Sequence, residues 1–325
     1  MKIKLPSFFS KENDITKSLL KVQPVNRSTL YNVLCALFPN IWLILFFLCP
    51  LIIIFKISIS TEVYTIPPFK ELFSIIDKYS VNVYLSIKNY MELIADSYYS
   101  TAFINSILLA SISTVLCLIF GFFIAHALIS IKSGARTILL LLISLSFWTS
   151  FLLRIYAWIN LLSFHGIVNS LLLKFHIIDN PIRFIGNYGT VCLGMVFCYL
   201  PFMIFPIYSI LEKMDVSCLE AAADLGSRPT QTFWRITFPL SMPGIYSGCI
   251  LVFSTSIGEF VIPELLGGPD TLTLGRVLWI EFFNNLNWPA ASAVAIVVMF
   301  IIILPGFIFQ KRIALSGGIE GVQTT

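Results

Sequence analysis

EAAADLGSRPTQTFWRITFPLSMPGI, residues 220–245, is a polar stretch set between two of the most apolar parts of the chain. Local rules give it a helix–turn–helix shape. Ser217 with Glu220 matches a capping box, 219–225 reads as a short helix, and Gly226 falls where a left-handed C-terminal cap belongs. Pro229 then lies in the first turn of a second helix, which Pro239 interrupts, and Ser241 and Pro243 mark the start of the next apolar run.

Working outward, composition sets the class. Apolar residues make up 57% of the 325 and charged residues 12%, with a mean hydropathy of +0.88. Soluble domains do not carry that balance, so the chain reads as an all-α integral membrane protein. Runs almost free of charge cover 28–55, 97–131, 137–153, 155–173, 184–211, 236–258 and 282–310, and a crossing needs about 20 apolar residues. The third and fourth runs are separated only by Arg154, so they read as one helix over 136–163 followed by a loop around His165 and Gly166. Six spans result, with both termini on one side.

Lys and Arg choose the side. Thirteen fall on the face shared by the termini and the 220–245 loop, and six (Lys70, Lys78, Lys88, Lys174, Arg183, Arg276) on the other. The topology is therefore N-in/C-in. Residues 1–27 form a cytoplasmic tail, 28–312 the transmembrane domain with a cytoplasmic loop at 212–243, and 313–325 a second tail. The first apolar run is too long for a signal-peptide core and reads as a retained anchor. A net charge of +4 reflects this topology and gives no reason to invoke nucleic acid. The seven cysteines lie in or beside apolar runs, and His126, His165 and His176 lack metal-ligand spacing. Neither a disulfide framework nor a metal site is expected.

The pattern Glu220-Ala221-Ala222, three residues, Gly226, nine residues, Ile236, one residue, Phe238, Pro239 resembles the cytoplasmic signature loop of binding-protein-dependent ABC importer permeases, with Phe where Leu is more usual. The segments PFMIFPIYSILEKMD, SFWTSFLLRIYAWINLL and GEFVIPELLGGPDTLTLGRVLWIEFFNNLNWPAASAVAI resemble the polyamine branch, most of all the first permease subunit of putrescine transporters, with spermidine permeases next. The likeness covers about 30–312. It implies a six-helix type I importer permease in the bacterial inner membrane, partnered by a second permease, two ATPase subunits and a periplasmic polyamine-binding protein. ATP and magnesium would be used by the ATPase, and no cofactor is expected on this chain.

In such permeases the short helix docks on the ATPase as a rigid coupling element. The resemblance assigns that role here to Glu220, Ala221, Ala222, Asp224, Gly226, Ile236 and Pro239. Small side chains at Ala221 and Ala222 permit close approach, and Glu220 would meet a cation of the partner. The bland alternative is that Glu220 completes the capping box of its own helix.

A diammonium substrate needs carboxylates to replace water and aromatic faces for cation–π contact, and ionisable groups at membrane depth are functional candidates. Glu259, at the break after Gly258, comes first, then Glu264, with Trp148, Tyr156 and Trp279 as candidate aromatic lining. A solvated loop or docking surface would explain these acids equally well, and an interfacial belt would explain the tryptophans. Arg154 would repel an ammonium and is read as a packing residue or as snorkelling outward. Gly244 and Gly248 mark close helix packing, within the subunit or against a partner.

A stand-alone channel or secondary transporter would also use six spans with scattered polar residues, but leaves the 220–245 pattern unexplained. An importer for another small organic solute would not. The sequence contains no G-x-S-x-G elbow, H-E-x-x-H pair or P-loop, so the chain reads as a non-catalytic subunit driven by a partner's ATP hydrolysis.

Overall fold

The computed structural model describes residues 37–63, 65–70, 73–77, 80–83 and 86–317. The expected tail at 1–27 lies outside them. The chain separates into two contact units, the first ending at Ile53 and the second starting at Ile54. The first described helix, α1 (Leu37–Ser58), crosses that boundary and is strongly apolar, with Lys56 near its end. It contains a widened π turn at Ile44–Leu48, just before Pro50, which cannot donate to the helix ladder.

The long outer loop after α1 holds a two-stranded antiparallel hairpin, β1 (Phe73–Asp77) with β2 (Ser80–Val83), and a short helix α2 (Lys88–Ala95). Buried Asn89 closes this loop by donating to the carbonyls of Ser58 and Ser60, both at 2.9 Å. Then come α3 (Ser97–Ser130), α4 (Ser133–Trp148), α5 (Phe151–Leu162), α6 (Ile167–Lys174) and α7 (Tyr188–Glu212). After α7 follow α8 (Val216–Asp224), α9 (Pro229–Ile257), α10 (Val261–Leu266), α11 (Leu274–Trp279) and α12 (Trp288–Gly317). Among the described residues six helices are long and apolar enough to cross a membrane.

Two expectations are corrected. The single helix over 136–163 is two helices, α4 and α5, broken at Thr149 and Ser150, whose backbones are extended. The stretch Ser-Leu-Ser-Phe-Trp-Thr-Ser explains the break. Short hydroxyl side chains offer the backbone other partners, and Thr149 Oγ1 donates to the Ser146 carbonyl at 2.9 Å. By length and composition the crossing candidate is then 151–174, with α4 a shorter apolar helix before it. The second correction concerns Pro239, which does not interrupt its helix. A π turn at Phe233–Thr237 reroutes the hydrogen bonds just ahead of it, and α9 runs unbroken to Ile257.

The core is a three-helix contact of α3, α7 and α9. Their buried faces carry Leu109, Cys117, Ala125 and Leu128 from α3, Met195, Met203 and Ile207 from α7, and Ile245 and Val252 from α9. The Gly244/Gly248 pair packs within the subunit, against α7. A Cβ at Gly244 would come within 2.8 Å of the Pro206 carbonyl oxygen and 3.0 Å of Ile207 Cα, both fixed backbone. At Gly248 the nearest atom would be Met203 Sδ, at 2.6 Å. Met203 can turn aside and a backbone cannot. Gly244→Ala is therefore expected to destabilise by about 1–3 kcal/mol, and Gly248→Ala by less. Thermal unfolding in detergent checks the order; equal or reversed losses would contradict this packing.

Candidate functional site: a projecting helix and a carboxylate cavity

The loop after α7 is built by local chemistry. Asp215 takes the N-cap of α8 and its carboxylate accepts from Ser217 N at 2.9 Å and from the Ser217 hydroxyl. Those bonds, the side-chain one foremost, hold the Asp215 pKa below the usual carboxylate value. Since the folded pKa is the depressed one, the cap is intact at neutral pH and weakens as pH falls through it. At the other end Gly226 adopts φ +75°. Gly226 N donates to the Ala223 carbonyl at 2.9 Å and Ser227 N to the Ala222 carbonyl at 3.0 Å, the paired bonds of a Schellman closure. Pro229 opens α9 as expected.

This geometry removes the capping-box reading of Glu220. The helix starts at Val216, so Glu220 is its fifth residue, beyond the reach of the orphan N–H groups. Its side chain is exposed and makes no hydrogen bond or ion pair among the described residues. Ala221 and Asp224 are exposed too, whereas Ala222 is buried. Ile236 is half-buried and Pro239 exposed. Around them stand bare apolar side chains, Val216, Leu225 and Trp234, with Leu225 88% exposed.

What attaches this loop to the bundle was not read from the sequence. Phe233 packs edge-on to Phe122 of α3 with centroids 5.5 Å apart, and His126 joins the same cluster 5.9 Å from Phe233. Phe238 adds a third side, 5.9 Å from Phe122. A period-four pair on α3 facing aromatics of 233–238 was the available signal.

Glu259 lies where α9 ends, after Gly258. Oε1 accepts from Val261 N at 2.9 Å and Ile262 N at 3.2 Å, capping α10, and Oε2 accepts from the buried Tyr199 hydroxyl of α7. The carboxylate lines a cavity of about 350 Å³ together with Arg154, Thr255, Tyr199, Cys198, Phe147, Phe151 and Phe202. Arg154 forms no ion pair among the described residues. It donates to Ser146 Oγ at 3.3 Å and lies 5.6 Å from the centroid of Phe151, strapping the break between α4 and α5. A larger cavity of about 740 Å³ between α3, α5 and α7 is lined by apolar side chains such as Leu108, Trp158 and Phe197 and by no charged residue. It presents aromatic faces but no carboxylate to an ammonium.

The remaining candidates stand elsewhere. Glu264 pairs with Arg276 at 2.7 Å, and Arg276 also donates to the Gly268 carbonyl at 3.0 Å. Trp279 stacks on Phe260 at 4.7 Å. Trp148, at the end of α4, and Tyr156 are exposed and do not line the Glu259 cavity. Tyr199 and the three phenylalanines were missed because nothing local to their segments points at a residue so far along the chain, and Thr255, one helical turn before Glu259, was missed although its spacing was legible. The non-helical outer segment is solvated by protein: Leu274 N donates to Ser106 Oγ at 2.7 Å, Asn105 to the Leu272 carbonyl at 3.1 Å, and Tyr188 to the Asp270 carbonyl at 2.6 Å. Glu281 is buried there, accepting from the Tyr99 hydroxyl at 3.0 Å.

Six apolar spans, three of which form the packed core, and a doubly capped helix held out on one face fit a membrane-spanning subunit of a transport system. Residues 26–315 match the model of the binding-protein-dependent transport system inner membrane component, and the chain belongs to that family. Among its relatives, the spermidine/putrescine transport system permease protein PotB of Haemophilus influenzae is 36% identical over 83% of this chain and 90% of its own length. PotB of Escherichia coli K12 is 37% identical over 78% and 88% respectively. A chain of the bacterial alginate ABC transporter, solved in complex with an alginate pentasaccharide-bound periplasmic protein, shares the fold with a TM-score of 0.67 at 16% identity, covering 89% of this chain and 96% of that one. The type I ABC importer permease fold and the inner-membrane location expected from the sequence are thereby established.

Proposed function

We propose that this chain is one of two membrane-spanning permease subunits of an ATP-driven importer of linear polyamines, putrescine and spermidine, received from a periplasmic binding protein. The observation that carries the ATP-driven part is α8: capped at both ends, with Glu220 unpaired among the described residues and Val216, Leu225 and Trp234 bare beside it. Such a surface fits a groove on an ATPase subunit, where Glu220 meets a cation and Ala221 permits close approach. Asp224, Ile236 and Pro239 belong to the same docking element, with Gly226 setting its angle. ATP binding draws two ATPase subunits together, α8 follows, and the spans alternate between outward and inward states.

The polyamine part rests on the relatives named for spermidine and putrescine; the Glu259 cavity adds a carboxylate and aromatic walls for an ammonium, while Arg154 on the same wall opposes one. Glu264 and Trp279 serve the outer approach, and Trp148 and Tyr156 face a neighbouring subunit or lipid rather than this cavity.

Uptake of labelled putrescine and spermidine into proteoliposomes holding the complete complex tests the reading. Accumulation is expected only with ATP and the loaded binding protein. Accumulation without ATPase subunits would mark a channel or secondary transporter, and ATP-driven uptake of another solute with neither polyamine taken up would overturn the substrate class.

A further inference from the structure

Glu212 ends α7 and stands three positions before Asp215, the cap of α8. The link between them is short and bonded, with Lys213 N donating to the Ile210 carbonyl at 3.2 Å and Met214 N to the Leu211 carbonyl at 3.3 Å. Whatever displaces α8 is therefore felt at Glu212. Its Oε1 accepts from the Tyr208 hydroxyl at 2.6 Å and faces Arg136 Nη1 at 3.7 Å.

Arg136 sits near the start of α4 and reaches back to the end of α3. Its Nη2 donates to the carbonyls of Ile129 and Ile131 at 3.1 and 3.3 Å. Carbonyls at a helix C-terminus lack intrahelical donors and carry the negative end of the dipole, so a guanidinium there is doubly favoured. One side chain thus joins the end of α3, the start of α4 and the end of α7. The folding of α8 does not need it, since Asp215 and Gly226 close that helix by themselves. Beside the pair lies a cavity of about 400 Å³ with Ser133, Thr137 and Ser144 on its wall, which leaves room for α4 to move. At the far side of α8 the Phe122–Phe233 contact ties the start of α9 to α3. Both ends of the projecting helix are therefore fastened to α3, one by aromatic packing and one by charge.

We propose that Arg136 and Glu212, aligned by Tyr208, are positioning residues for coupling. They form the strut through which displacement of α8 is passed to α3 and α4. Without the strut, α8 still docks, but less of its movement reaches α4 and the end of α3. The proposal rests on the reading of the chain as an ATPase-driven permease.

The test is the number of ATP molecules hydrolysed per polyamine imported by the complete complex in proteoliposomes, measured for Glu212→Gln, Arg136→Gln and the double variant. Each single substitution is expected to raise that ratio by about fivefold or more, and the double is expected to match the worse single, because a pair can be broken only once. An unchanged ratio, import and hydrolysis falling in parallel, or a double effect equal to the product of the singles would overturn the strut. Should a charge variant fail to assemble, Tyr208→Phe, which removes only the aligning hydroxyl, is read by the same ratio; a rise supports the strut and an unchanged value overturns it. Failure of the native complex to couple uptake to ATP would instead strike the proposed function.

Discussion

Glu259→Gln is expected to lower polyamine uptake roughly tenfold while leaving the amount of folded complex unchanged, since a hydrogen bond to a charged group is worth about 1–1.5 kcal/mol more than its neutral counterpart. The amide oxygen of Gln can still accept from Val261 N and Ile262 N, which Glu259 Oε1 now does at 2.9 and 3.2 Å. The α10 cap therefore survives, while the charge facing the Arg154 cavity is lost and the Tyr199 hydroxyl, which now donates to Oε2, must instead accept from the amide. Glu259→Ala removes both, and should add about 1 kcal/mol of destabilisation for the missing cap. Uptake measured at several polyamine concentrations, beside a melting curve for each variant, separates these contributions. Native uptake by Glu259→Gln would remove this carboxylate from the substrate path, and loss of uptake matched by loss of stability would reduce it to a helix cap. Glu264→Gln is the internal comparison. Its partner Arg276 would keep the Gly268 carbonyl, so a smaller effect is expected.

Gly226→Val is expected to abolish most ATP-driven uptake without unfolding the spans. Nothing lies within 4 Å of a Cβ built on Gly226, so no clash is involved. The cost comes from φ +75°, a left-handed conformation worth about 1–2 kcal/mol against an ordinary residue and more against a β-branched one. Relief of that strain requires giving up the Gly226–Ala223 and Ser227–Ala222 bonds that end α8, and the helix then leaves at another angle. Gly226→Asn should retain most activity because Asn tolerates the left-handed region. Co-purification of the ATPase and uptake are the two readings. Val behaving like Asn would show that the angle of α8 does not matter to transport.

Much of the fold was legible because it rests on short-range rules. Charge-free runs marked the crossings, the Lys and Arg imbalance set a side, and Gly226 and Pro229 mark the turn in their own letters. The projecting helix is legible for the same reason, although its start is not. Ser217 and Glu220 satisfy the spacing of a capping box, yet Asp215 competes for the same role two residues earlier and prevails, since it bonds both Ser217 N and the Ser217 hydroxyl. The break at Thr149 and Ser150 is a similar contest. Apolar continuity argued for one helix, and four hydroxyl residues in seven positions broke it.

By itself the sequence determined the class of the protein, the positions of most spans and the shape of the loop that reaches out from them, because hydropathy, loop charge and capping act within a few turns of chain. Only the tertiary structure decided that Gly244 and Gly248 face α7, that Tyr199 holds Glu259, that Arg136 reaches Glu212, and that Glu220 has no partner among the described residues. In a bilayer the lipid-facing and buried sides of a helix are alike in apolarity, so the pattern of one helix does not say which neighbour it meets. That choice is made by small residues, backbone approach and a few polar pairs, all of which belong to two helices at once.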